Sequence, residues 1–309
     1  GKRREKVACM KIGILGFGKM GSRIAQKLSK EGHEVVVWNR SKLKIHEKEF
    51  TVAESVEDLV GRLERPRVIW LMLPAGEPTQ GVLSELKKYV EKGDIVIDGG
   101  NAHFGDTQRM FEEFKKIGVE FLGIGVSGGI LAEKNGFPLM VGGSRKAYQY
   151  ITTILDSLSK PNGGYEYFGE GGAGHFVKMV HNGIEYGIMQ SLGEGFEVLE
   201  KSSYKLDLVK VARLWQRGTL VSGFMLDRAV DALSQNPKLS GIAGSIEESG
   251  EARWTVEEAK KEGLEVEIIE RSLEYRKRSQ TDKKIQNSFT AKMVAALRNA
   301  FGGHAVKKI

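Results

Sequence analysis

"KIGILGFGKMGSRIAQKLSKEGHEVVVWNRS", residues 11–41, decides the fold. Its opening, KIGILGF, is a nearly unbroken apolar run, as expected of a strand buried on both faces. MGSRIAQKLSKEG follows with apolar residues at helical spacing and stops at Gly32. EVVVWN then reads as a second buried strand. Between the first strand and the helix, Gly16-Phe17-Gly18-Lys19-Met20-Gly21 matches GxGxxG. That pattern is weak alone, because glycine is common. Directly after a strand and opening a helix, it has the context that dinucleotide binding requires. The glycines allow a tight turn and close backbone approach, and the helix N-terminus offers N–H groups to a pyrophosphate. A simple strand–helix turn is the alternative. The second strand ends in Asn39, Arg40 and Ser41, where a loop that selects NAD usually carries a carboxylate for the ribose hydroxyls. No carboxylate here repels a 2′-phosphate, and Arg40 can pair with one. NADP is therefore the expected cofactor, with NAD possible; the alternative leaves Arg40 as a solvated loop residue.

Further along, RVIWLMLP, DIVIDGGN, VEFLGIGV and PLMVGG are short β-rich runs separated by helical stretches or turns. Such alternation implies βαβ units and a mostly parallel sheet. After the glycine cluster GEGGAG at 169–174 the pattern becomes helical to about Asp231. A turn-rich connection, SQNPKLSGIAGSIEESGEARW, leads to three more helical segments, TVEEAKKEG, SLEYRKRSQ and SFTAKMVAALRNAF. The expected fold is an α/β Rossmann-type N-terminal domain, 10–173, with an all-α C-terminal domain, 174–309. Met10 looks like a natural start, which makes residues 1–9 an upstream extension.

Composition narrows the function classes. Hydrophobic residues make up 40% and charged residues 28% of the 309, as in soluble globular proteins. No apolar run approaches the ~18 residues needed to span a bilayer. A single cysteine, Cys9, precludes an intrachain disulfide and fits a reducing cytoplasm. The six histidines show no ligand spacing, so no metal is expected. The net charge of +7 is dispersed and unaccompanied by a nucleic-acid motif. A positive field also concentrates phosphorylated small molecules.

GHFVKMVHNGIEYGIMQ, residues 174–190, spaces Lys178, His181, Asn182 and Glu185 by three and four residues. At about 100° per residue, His181 lies about −60°, Asn182 about +40° and Glu185 about −20° from Lys178, a stripe about 100° wide. Phe176, Val180, Gly183, Ile184 and Gly187 group elsewhere, as an apolar, small-residue surface able to pack on other helices. A solvated Lys–Glu face would look similar. Glycines at 183, 187, 193 and 195 would weaken an exposed helix by up to ~1 kcal/mol each, which favours close packing. A desolvated lysine could serve as a base near neutral pH, with a nearby carboxyl as acid.

With these segments in hand, the chain resembles the decarboxylating 6-phosphogluconate dehydrogenases over nearly its whole length from Met10. GFGKMG, NRS, LMLPAG, VIDGGN, GVSGG, GAGHFVKMVHNGIEYG, ARWT and RNAFGGH stand in the family's order. The resemblance implies that Lys178 takes the proton of the substrate's 3-hydroxyl during oxidation, then hydrogen-bonds the keto oxygen as CO₂ leaves. Glu185 would protonate C1 of the enediol to give ribulose 5-phosphate, while His181 and Asn182 orient the substrate. Asn101, Ser127, Gly128 and Gly129 would meet the sugar acid and nicotinamide, with Leu73, Pro74 and Ala75 also beside the cofactor. Tyr186, Arg276, Arg298 and His304 match the phosphate end, and Arg253 and Thr255 of ARWT complete the substrate set. Residues Arg271, Lys277 and Arg278 surround Arg276, so a solvated basic face is its alternative. The family's tail reaches a neighbouring subunit's site, which implies a homodimer.

The length matches the family's short form, several members of which favour NAD. Arg253 stands where the long form has lysine, and YEYFGEGG is a local variation with no function attached. A rival reading is another β-hydroxyacid dehydrogenase acting on a small unphosphorylated acid. That group shares the catalytic lysine and an asparagine four residues later, but usually lacks the His-Asn pair with Glu seven after the lysine. A non-enzymatic NADPH-binding protein is a third reading; intact lysine and glutamate argue against it. No nucleic-acid or membrane partner is expected.

Overall fold

A computed structural model describes residues 9–41 and 50–307. Apart from Cys9, the extension expected at residues 1–9 lies outside the described residues, as does His46. The chain forms two units, Gly1–Lys178 and Met179–Ile309.

In the first unit, β1 (Lys11–Leu15) runs into α1 (Lys19–Lys30) and β2 (Glu34–Trp38). There follow β3 (Thr51–Val52), α2 (Val56–Gly61), β4 (Val68–Leu71), α3 (Glu77–Leu86), β5 (Ile95–Asp98), α4 (Phe104–Lys116) and β6 (Glu120–Val126). A 3₁₀ turn at Gly129–Leu131, α5 (Ala132–Asn135), β7 (Pro138–Gly143), α6 (Arg145–Tyr150), α7 (Thr152–Ser159) and β8 (Gly164–Gly169) complete it. The strands form one sheet in the order β3-β2-β1-β4-β5-β6-β7-β8. All neighbours are parallel except β6 and β7. The apolar runs are continuous because both sheet faces are covered. Ile12, Ile14, Val35, Val37, Trp70 and Ile97 enter one core, and Leu15, Val36, Ile69, Leu71 and Val96 the other. α1 buries Ile24, Ala25 and Leu28 against the first core. Gly32 follows it at φ +95°, the left-handed conformation that stops the helix.

Two features differ from the sequence reading. The first five residues of YEYFGEGG lie on an edge strand, β8, with alternating half-exposed residues, so they carry little of the apolar signal that marks a strand. β7 returns antiparallel to β6, a direction that composition cannot encode.

The second unit is helical. α8 (Ala173–Lys201) starts in the first unit and continues into it. Then come α9 (Leu208–Trp215), α10 (Phe224–Gln235), α11 (Glu251–Lys261), α12 (Glu267–Ser279), α13 (Lys283–Asn287) and α14 (Phe289–Gly302). Met189 and Phe196 of α8, Leu226, Ala229 and Leu233 of α10, and Met293, Val294 and Leu297 of α14 form its main core. A smaller cluster joins Tyr186 to Ala252, Val256 and Leu273.

Candidate active site

The strand registers align the carboxyl ends of neighbouring strands: Leu15 sits opposite both Trp38 and Leu71, and Leu71 opposite Asp98. The loops after β1, β4 and β5 therefore leave the sheet together, where the order of connection reverses between β1 and β4. Gly16, at φ +101°, turns against Met72 and Leu73, and a β-carbon there would overlap the Met72 carbonyl. A β-carbon at Gly21 would overlap the Gly16 carbonyl, so this glycine lets α1 close onto the turn. A β-carbon at Gly18 would meet no atom within 4 Å. Packing does not require glycine there; a phosphate lying on the N-terminus of α1 does, so the loop fits a dinucleotide. Lys19 and Met20 form the first turn of the helix.

Asn39 holds this loop in shape. Its Oδ1 accepts from Phe17 N at 3.0 Å and its Nδ2 donates to Ser41 O at 3.1 Å. Arg40 is exposed beside it. In the β4 loop, Thr79 Oγ1 donates to Pro74 O at 2.7 Å, and Leu73 packs between Gly16 and Gly100, next to exposed Ala75.

Asp98 ends β5 fully buried, and burial pushes its carboxyl up to about 7 against the pull of the Gly100 N–H, which it accepts at 3.0 Å. The exposed Asn101 follows. Ser127 N donates to Pro138 O at 2.9 Å, and Gly128 and Gly129 take positive φ beyond it. On α8, buried His175 sits 2.7 Å from Thr107 Oγ1, and burial pulls its imidazole down to about 4. One turn later Lys178 is 7% exposed. A β-carbon on Gly125 of β6 would overlap its Cβ, so the glycine makes the seat for the lysine.

In the second unit, His181 Nδ1 and Asn182 Oδ1 are 2.8 Å apart, and Asn182 Nδ2 donates to Glu251 Oε1 at 3.1 Å. Glu185 Oε2 lies 4.0 Å from His181 Nδ1. Beyond them, the Arg276 guanidinium carbon stacks 3.2 Å from the Tyr186 ring centroid. Arg276 is buried, whereas Arg271, Lys277 and Arg278 are exposed, so it does not belong to a solvated basic face. Burial pulls its guanidinium down to about 10, which still leaves it charged at neutral pH. Arg298, also buried, is lowered for the same reason; Tyr186, Glu185 and Glu251 act on both arginines in the opposite sense. Two desolvated guanidiniums, one of them stacked on a phenol, make a strong oxyanion receptor.

Three expected residues have other engagements. Thr255 Oγ1 donates to Glu251 O at 2.8 Å and Met179 O at 3.0 Å, packing on Gly183. Arg253 Nε donates to Glu248 Oε1 at 3.1 Å, which holds its guanidinium above the usual range. His304 lies past α14, its ring 5.8 Å from that of Phe301. In the tail, Ala243 N donates to Lys307 O at 2.8 Å.

The apolar flank expected on α8 divides. Gly183, Gly187 and Gly193 do meet other helices, at Thr255, Ile268 and Thr290 respectively. Gly195 faces open space, and Phe176 and Ile184 are exposed. Glu251, Asp98, His175 and Thr107 were not singled out by the sequence. Asn182 and Glu251 are 69 positions apart, and no local pattern in the sequence links them.

Residues 11–171 match the family model described as the NAD binding domain of 6-phosphogluconate dehydrogenase, and residues 174–288 match that of its C-terminal domain. The chain belongs to the 6-phosphogluconate dehydrogenase family. It is 39% identical over 302 residues to Bacillus subtilis YqeC, covering 97% of this chain and 100% of that one. It is 36% identical to the NAD(+)-dependent decarboxylating 6-phosphogluconate dehydrogenase of Haloferax volcanii, covering 97% and 99% of the two. Among solved structures, the Plasmodium falciparum 6-phosphogluconate dehydrogenase aligns with TM-score 0.78 and 30% identity over 87% of this chain and 62% of that one. A Mycobacterium tuberculosis 3-hydroxyisobutyrate dehydrogenase aligns with TM-score 0.70 and 17% identity over 92% and 98%, a likeness of fold alone. As a member of this family, the chain is an oxidoreductase enzyme with an NAD(P)-binding domain. Among the described residues, no helix is long and apolar enough to cross a membrane, and no cluster of three or more His, Cys, Asp or Glu could hold a metal ion.

Proposed function

We propose that this enzyme oxidatively decarboxylates 6-phosphogluconate to ribulose 5-phosphate and CO₂ with NADP, as a cytoplasmic step of the pentose phosphate pathway and of gluconate utilisation. The observation that carries this reading is the burial of two guanidiniums that feel each other's charge, Arg276, stacked on Tyr186, and Arg298. Keeping two guanidiniums out of water is costly without an anion to meet them, and a phosphate supplies one. A small unphosphorylated hydroxy acid brings one anion, its carboxylate, where 6-phosphogluconate brings a carboxylate and a phosphate, which disfavours the rival dehydrogenase.

When bound, the nicotinamide supplies the hydride acceptor. Gly16, Phe17, Gly18, Lys19, Met20 and Gly21 would cradle the pyrophosphate, with Asn39, Arg40 and Ser41 at the ribose and Leu73, Pro74, Ala75 and Asn101 along the nicotinamide half. Lys178, seated against Gly125, takes the proton of the 3-hydroxyl. Protonated, it donates to the keto oxygen and draws electron density from the breaking C–C bond. Glu185, seven residues on along α8, delivers a proton to C1 of the enediol. Asn101, Ser127, Gly128, Gly129, His181 and Asn182 orient the sugar acid. Tyr186, Arg276, Arg298 and His304 take the phosphate, with Arg253 and Thr255 in support.

We also infer a homodimer. The second unit exposes the apolar side chains Ile184, Ile188, Leu214, Leu220, Val221 and Phe224, which a subunit interface would cover. In this dimer the C-terminal segment around His304 is the part offered to the neighbouring subunit's site.

The test is a coupled assay of NADPH and CO₂ release from 6-phosphogluconate, repeated with NAD and with unphosphorylated gluconate. Stoichiometric release with the phosphorylated acid is expected. Turnover of a small unphosphorylated acid with none of 6-phosphogluconate would refute the reading.

A further inference from the structure

Glu251 opens α11 and is only 2% exposed. Its Oε1 accepts from Asn182 Nδ2 at 3.1 Å, and its buried Oε2 has no hydrogen-bond partner among the described residues. The negative charge acts on Arg276 and Arg298. One turn along α11, Thr255 donates to Glu251 O and to Met179 O, which pins the start of α11 to α8 where Glu251 faces Asn182.

The hydrogen-bonding capacities of these groups fix the direction of every bond in the chain. An ionised carboxylate only accepts, so Asn182 must turn its amide nitrogen to Glu251. Its Oδ1 then faces His181 Nδ1 at 2.8 Å. An amide oxygen also only accepts, so Nδ1 must carry the proton, and a neutral His181 keeps its lone pair on Nε2. Glu185 Oε2, 4.0 Å from Nδ1, is too distant to take over this bond.

We propose that Glu251 is a positioning residue that sets the tautomer of His181 through Asn182, so that Nε2 presents a hydrogen-bond acceptor to a hydroxyl of the polyhydroxy acid. The ligand named here rests on the proposed function; the tautomer does not. The relay explains why a carboxylate, rather than an amide of the same shape, stands at position 251. Glutamine could donate as well as accept, and would leave Asn182 free to turn over.

The test uses the whole enzyme. ¹⁵N NMR of the imidazoles at pH about 9, above the ordinary histidine range, reads the tautomer directly, with His181 assigned by its loss in a His181→Gln variant. The wild type should show the Nδ1–H form. Glu251→Gln should show a mixture or the Nε2–H form, with unchanged melting temperature and cofactor Kd. Its kcat/KM for 6-phosphogluconate should fall about tenfold or more, the effect of one misdirected hydrogen bond. Asn182→Ala breaks the relay from its other side and should release the tautomer even if Glu251→Gln folds poorly. A wild-type His181 in the Nε2–H form, or an unchanged signal in Glu251→Gln, would overturn the assignment. A wild type inactive on 6-phosphogluconate that keeps the Nδ1–H form would sink the functional reading and leave the relay standing.

Discussion

The guanidinium carbon of Arg276 lies 3.2 Å from the centroid of the Tyr186 ring, and both residues are buried. The ring holds the planar fork in place and restricts where it can aim. Lysine offers neither the flat face nor the paired donors. Arg276→Lys should therefore raise KM for 6-phosphogluconate by about 30-fold, roughly 2 kcal/mol of bidentate recognition, and leave the cofactor Kd unchanged. Steady-state kinetics with 6-phosphogluconate and gluconate make the check. An equal loss on both acids would show that Arg276 does not serve the phosphate.

Lys178 and Glu185 share one helix, and the proposed reaction has them act at different steps. Lys178→Met should cut oxidation by about 10³- to 10⁴-fold while the cofactor still binds. Near-normal turnover would defeat its assignment as base. Glu185→Gln should slow the last step, so that reduced cofactor appears in a stopped-flow burst ahead of ribulose 5-phosphate. Without a burst, Glu185 is not the acid.

Arg40 is the exposed charge at the end of β2, and Asn39 already fixes the loop beneath it. Replacing Arg40 by Glu should invert the cofactor ratio, lowering kcat/KM for NADP about 100-fold relative to NAD by exchanging an ion pair for repulsion. A wild type that strongly prefers NAD would remove the basis for this role.

Asp98 should be visible in the pH dependence of stability. Its carboxyl is raised from 3.8 to about 7 by burial, so the native state holds its proton more tightly than the unfolded chain. That contribution is fully present below pH 3.8 and is lost as the pH rises through about 7. His175, lowered from 6.5 to about 4, works in the opposite sense: its contribution is present above pH 6.5 and lost as the pH falls through about 4. Between these limits the two slopes offset each other. Asp98→Asn keeps an acceptor for Gly100 N–H but cannot ionise. Its stability relative to wild type should therefore climb by about 4 kcal/mol between pH 4 and 8, as read by urea unfolding. A flat difference would mean that Asp98 titrates normally.

The nucleotide half was legible because its signals are local. A continuous apolar strand, a helix with one buried face and glycines at Gly16 and Gly21 all occur within one βαβ unit, and the structure uses each as the pattern implies. The polar residues of α8 were legible for the same reason, since three- and four-residue spacing is a property of one helix. What stayed hidden depends on partners distant in the chain. Asn182 and Glu251 are 69 positions apart, and His175 and Thr107 are 68. Edge strand β8 was hidden by its half-exposed faces, and the burial of Arg276 among solvated basic neighbours shows only once α12 is packed.

Gly125 is the next-to-last residue of an ordinary-looking strand, yet the smallest possible side chain there would collide with Lys178. In a map of mutational tolerance, this chemically silent position should therefore score with the catalytic residues. The seat of the proposed base is written into the chain twice, as an amine on one element and as a missing methyl on another. Repurposing the scaffold for a different base would have to revise both together.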